Sequence, residues 1–136
     1  MKKLLLIALS VLLVVACKKK ENLPEGPTDV RIRNISTFTL HDVTVDIDTV
    51  VNYGIIDTQS ISKYIRFPKA YPKVKITAKV DMDGSLVTCT SETVDYTYMH
   101  CMGRMRITYE IFIPNVVNKL IEVEVIPEEE IFLDQE

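Results

Sequence analysis

Beyond residue 28 the chain alternates apolar and polar residues with period two, run after run. Val30 and Ile32 alternate with Arg31 and Arg33, and Val43, Val45 and Ile47 with Asp42, Thr44 and Asp46. Val74, Ile76, Ala78 and Val80 alternate with Lys73, Lys75, Thr77 and Lys79. Met105, Ile107, Tyr109 and Ile111 alternate with Arg104, Arg106, Thr108 and Glu110, and Ile121, Val123 and Val125 with Glu122 and Glu124. Successive side chains of a strand point to opposite faces, so each run predicts a strand with one buried and one wet face. No stretch after residue 17 sustains a helical period. The expected fold class is all-β.

Turn chemistry divides the runs into about seven or eight strands, expected near 29–35, 40–48, 50–56, 60–67, 73–80, 85–91, 104–113 and 118–126. Asp81-Met82-Asp83-Gly84 reads as a hairpin in which Gly84 supplies positive φ. Pro68 and Pro72 bracket a kinked loop around Tyr71, Pro114-Asn115 ends the strand from Met105, and Pro127 is expected to end the last one. Short antiparallel strands at this spacing suggest a single β-sandwich over residues 29–126, with a small barrel as the alternative. Residues 127–136 then form an acidic tail of five acids and no base, whose Ile131, Phe132 and Leu133 offer a docking segment.

The front of the chain is an address. Lys2 and Lys3 precede an apolar run from Leu4 to Val15 broken only by Ser10, too short to span ~30 Å of hydrocarbon as a helix. Residues 1–16 therefore read as a secretory signal peptide. Val14-Val15-Ala16-Cys17 looks like a bacterial lipobox, in which Cys17 is cleaved to the N-terminus and acylated by diacylglycerol and palmitate-type chains. Several fatty chains anchor durably where one binds only marginally. Residues 17–28 are the lipidated Cys17 and a polar tether holding Pro24, Gly26 and Pro27. Without Lys2 and Lys3 the remaining chain carries 14 basic and 19 acidic residues, a net −5. The expected location is a bacterial cell envelope, lipid-anchored in the outer membrane, with the periplasmic or surface face left open. An acidic chain gives no general reason to expect nucleic acid as a partner.

A string of features in order resembles a group of small Bacteroidetes-type lipoproteins. Val30-Arg31-Ile32-Arg33-Asn34-Ile35-Ser36 is similar to their opening V-x-I/V-x-N-x-S strand, followed by Val43, Val45 and Asn52-Tyr53-Gly54-Ile55-Ile56. Ser60-x-x-x-Tyr64-x-x-Phe67-x-x-Ala70-Tyr71 and Ile107-Thr108-Tyr109-Glu110-Ile111 complete the set, over roughly residues 29–125. The resemblance implies an immunoglobulin-like or related β-sandwich and brings no catalytic residue with it. Asp57-Thr58-Gln59 stands where that group usually has a Gly before the serine.

Chemistry-bearing residues are few. With Cys17 lipidated, Cys89 and Cys101 remain as an even pair, and in an oxidising compartment a disulfide between them is the natural reading. It would close a loop of about a dozen residues and add roughly 3 kcal/mol. Met99-His100-Cys101-Met102, with Met105, offers the soft donors that favour Cu(I), though neighbours on a strand cannot all converge. Asp81, Asp83 and Glu92 imitate a calcium loop, but Leu86 stands at the sixth position where Gly is needed. His41 and His100 are the only histidines; His41, Asp57, Ser60 and Ser62 form no recognised nucleophile motif, and Glu122 and Glu124 look like a solvated face. No catalytic, cofactor or metal site is assigned. Tyr64, Phe67 and Tyr71 around one loop, and Tyr96 and Tyr98 around another, would make a recognition patch if exposed. Lys73, Lys75 and Lys79 make one strand face basic, open to anionic lipid or glycan. The expected role is a membrane-anchored structural or binding module with a protein or glycan partner. A lysozyme-inhibitor-like or stress lipoprotein, and a copper binder using the Met99–Met105 loop, are the alternatives.

Overall fold

The computed structural model describes residues 25–130. The expected signal peptide, the expected lipidation site Cys17, residues 18–24 of the expected tether and residues 131–136 lie outside the described residues. Eight strands follow one another: β1 Thr28–Asn34, β2 Leu40–Ile47, β3 Thr49–Ile56, β4 Ile65–Phe67, β5 Lys75–Met82, β6 Ser85–Thr90, β7 Met105–Phe112 and β8 Glu122–Glu130. They form two four-stranded sheets, ordered β4-β1-β7-β8 and β3-β2-β5-β6. The chain is an all-β sandwich, as its alternation requires.

The inward residues meet between the sheets. Val30, Ile32, Ile107, Tyr109 and Ile111 come from the first sheet, and Leu40, Val43, Val45, Ile76, Ala78 and Val80 from the second, all fully buried. Each large side chain removed from water contributes roughly 1.5–3 kcal/mol. Two phenol hydroxyls, one half-buried and one fully buried, reach across this core. Tyr53 on β3 donates to the Val30 carbonyl at 2.8 Å, and Tyr109 on β7 donates to the Tyr71 carbonyl. Burial pushes both phenols above their ordinary pKa, so they stay protonated donors.

The hairpin between β5 and β6 forms as its sequence predicts. Met82 pairs with Ser85, leaving Asp83 and Gly84 as a two-residue turn with φ of 55° and 87°. Asp81 Oδ1 accepts the Gly84 N–H at 2.9 Å, so this carboxylate serves the turn.

Four expectations need correction. The pairing is not wholly antiparallel, because β1 runs parallel to β7 from Asp29 opposite Arg106 to Asn34 opposite Ile111. The strand expected over 60–67 is split into a bridge between Arg33 and Ile61 and the three-residue β4. Between them the Ser62 hydroxyl takes the Ile32 N–H at 2.9 Å, so a side chain stands in for the ladder. The sheet begins at Thr28, one residue inside the expected tether, and that residue is fully buried. Pro127 does not end β8, which continues to Glu130. A proline is tolerated there because β8 is an outer strand whose far side needs no N–H donor. A register shift between Arg106 and Ile107 accompanies it: Ile107 faces Pro127 and Arg106 faces Glu129, leaving Glu128 as the extra residue of a bulge.

Candidate functional site

One candidate site is a cleft of about 510 Å³ where the chain leaves β6, between residues 91–99 and the start of β8. Val74, Met99, Leu120, Ile121 and Val123 give it an apolar floor, and Lys73, Glu92, Asp95 and Glu122 stand among its lining residues. Backbone bonds build its wall. Thr90 N–H reaches Lys119 O at 3.0 Å, Ile121 N–H returns to Thr90 O at 3.0 Å, and Ser91 N–H reaches Ile76 O at 2.9 Å. The buried Ser91 hydroxyl accepts from Ile76 N–H at 2.8 Å and donates to Val74 O at 3.1 Å, so it holds the wall. Asp95 is drawn to Thr97, whose N–H and hydroxyl donate to it at 3.0 and 2.6 Å and hold its carboxyl below the ordinary range. Apolar floor and three carboxylates with one ammonium suit an amphipathic ligand carrying a positive charge.

The outer face of the first sheet holds a second concentration of charge. Opposed residues pair across strands: Arg66 with Asp29 at 2.8 Å and Arg33 with Glu110 at 3.5 Å. The bulge residue Glu128 accepts from Arg31 at 2.8 Å and also from the Thr108 and Tyr64 hydroxyls. The Arg31 and Arg106 guanidiniums lie 4.8 and 5.3 Å from the Tyr64 ring centre. Burial raises the Glu128 pKa, but hydrogen bonds from Thr108, Tyr64 and Arg31 outweigh it and hold the carboxyl below its ordinary value. This ladder binds β1, β7, β8 and the approach to β4 to each other.

The aromatic patch expected from the sequence is divided. Phe67 and Tyr71 are buried. Tyr96 stacks on Tyr71 at 4.6 Å, accepts the Lys75 N–H at 3.2 Å and donates to Asp46 O at 3.0 Å. Tyr64 belongs to the charge ladder, and Tyr98 alone stands clear, 93% exposed. Of the basic strand face, Lys79 pairs with Asp42 at 3.0 Å and Lys73 lines the cleft.

The disulfide expected between Cys89 and Cys101 is not formed, and both are free thiols. Their neighbours lie on different seams. Cys89 is buried on β6 opposite Ala78, one residue before the junction with Lys119–Ile121. Cys101 precedes Met102, whose N–H is fixed to Ala70 O at 2.8 Å. In the proposed copper loop Met99, Cys101, Met102 and Met105 pack against the core, whereas His100 is exposed. Among the described residues no three His, Cys, Asp or Glu side chains form a metal-sized group. His41 lines a separate recess of about 410 Å³ with Thr37, Phe38 and Asp81. Ser60 and Ser62 lie along β1, where backbone atoms take their hydroxyls, so the four-residue set is not assembled.

Sequence reasoning missed Glu128 and Asn34. The buried Asn34 amide reaches the carbonyls of Phe38, Ile56 and Asp57 at 2.7, 3.1 and 3.2 Å. Its Oδ1 accepts from the Ser36 N–H at 3.0 Å and hydroxyl at 2.6 Å. Asn-x-Ser after an alternating run is the only trace this knot leaves in the sequence. Searches against protein-family models, curated proteins and solved structures return no match to this chain.

Proposed function

We propose that this chain is a lipid-anchored, non-catalytic binding module of a bacterial cell envelope, held in the outer membrane through acylated Cys17. The Bacteroidetes-type lipoprotein resemblance points the same way. The partner is a protein that adds a strand to the sandwich, and the observation that carries the reading is the open edge of β3. This eight-residue strand is the outermost of its sheet. It leaves Val50 66% and Ile55 64% exposed, whereas β4 has three residues, β8 bears acids, and the six-residue β6 exposes one large apolar side chain, Leu86. Long apolar edges are the ones extended partners pair with, since unpaired N–H and C=O groups give affinity and flanking side chains give selectivity.

The experiment separates anchor from contact. Wild-type chain should fractionate with outer membrane, and Cys17→Ala should move to the soluble fraction. A photo-crosslinker at the exposed position 49 of β3 should give one discrete adduct that the Val50→Lys/Ile55→Lys pair abolishes with the melting temperature unchanged. An adduct indifferent to those lysines would refute β3 as the contact. A lysozyme as its sole component would favour the inhibitor reading.

A further inference from the structure

We infer that one end of the sandwich, where loops 68–74 and 91–104 meet the start of β1, rests on the phospholipid headgroups, with Tyr98 entering the interface. The inference rests on the lipidation of Cys17 proposed above. Cys17 precedes Glu25 by eight residues, and an extended chain spans at most about 3.6 Å per residue, so the acylated residue lies within roughly 29 Å of Glu25. The point of departure is fixed. Gly26 is pressed on the backbone of Pro68, where an added Cβ would stand 1.9 Å from the Pro68 carbonyl oxygen. The long loop before β7 closes over the same place: Met102 N–H holds Ala70 O at 2.8 Å and Thr28 donates to Gly103 O at 2.6 Å.

This loop carries Tyr98, the most exposed large hydrophobic side chain among the described residues, between the packed Tyr96 and Met99. A ring with a polar tip gains by leaving water for the boundary between headgroup and acyl chain, where tyrosines concentrate. Charge does not drive the contact. Lys69, Lys73 and Arg104 at this end are met by Glu25, Asp48, Glu92 and Asp95, which leaves no positive surplus, and Lys69 already sits 3.6 Å from Asp48. The contact should therefore tolerate salt. The hairpin at Asp83-Gly84 and the recess holding His41 lie at the opposite end, since β5 runs from beside the end of β2 to the hairpin beside its start. That end would face away from the lipid.

The chain contains no tryptophan, so one introduced residue reports alone. Full-length lipidated Tyr98→Trp protein in phosphatidylethanolamine/phosphatidylglycerol vesicles should show blue-shifted emission and lose intensity when bromine-labelled lipids are included, unchanged by high salt. Leu86→Trp, exposed on β6 near the hairpin, should show neither effect. Emission at position 98 as unquenched as at position 86, in protein that floats with the vesicles, would overturn the inference. So would equal quenching at both. Protein that fails to float refutes the lipid anchor itself, a result the flotation assay reads before any fluorescence.

Discussion

At the scale of single residues, the sandwich is secured by polar side chains in apolar surroundings. Asn34 is the clearest case, with five hydrogen-bonding contacts joining the β1–β2 turn to the end of β3. Asn34→Ala strands those carbonyls and the Ser36 donors, and unpaired buried polar groups cost about 1–3 kcal/mol each. Urea denaturation should show a loss of about 3 kcal/mol with an unchanged slope. The thiols give a second test. Burial pushes the Cys89 thiol above its ordinary pKa, while Cys101 is only partly covered. In Cys17→Ala protein, native alkylation should label Cys101 first and Cys89 only on unfolding, with no intact-mass deficit of two hydrogens. Thiol parity in the sequence suggested a bridge, but parity holds no information about which seam each residue joins. Asn34 was visible only as a motif, because its partners are backbone atoms that no side-chain pattern betrays.

At the scale of strands, alternation located five of the eight, since period two is the direct imprint of one buried face, and turn chemistry between the runs placed the other three. It failed at local chemistry: Ser62 interrupting the strand before β4, and Pro127 passing through β8 by way of a bulge. The bulge also explains why Glu128 read as part of an acidic tail. Its partners Arg31, Tyr64 and Thr108 come from three distant segments. Because the folded Glu128 pKa lies below its unfolded value, the stability it contributes is present above the ordinary glutamate range near pH 4.3 and is lost as pH falls through the folded value. Glu128→Gln should therefore cost about 1 kcal/mol at pH 7, shrinking toward nothing at acid pH, as followed by denaturant midpoints. The β3 edge carries the complementary expectation: Val50→Lys/Ile55→Lys should leave the denaturation midpoint within about 0.5 kcal/mol of wild type, because both side chains are already in water.

At the scale of the molecule, the parallel seam between β1 and β7 has a consequence in time. Its paired residues Arg31 and Thr108 are 77 positions apart, yet β1 has only the three-residue β4 on its other side. Closing so long a loop before any reward is gained makes such topologies slow, in the millisecond-to-second range. Stopped-flow refolding should fall in that range, and a chain ending at residue 104 should show no cooperative unfolding. Synthesis delivers β1 first and β7 almost last, so the first sheet stays open until three quarters of the chain exist. The protein is a clasp whose two halves are made far apart, and it remains a thread until the second half arrives.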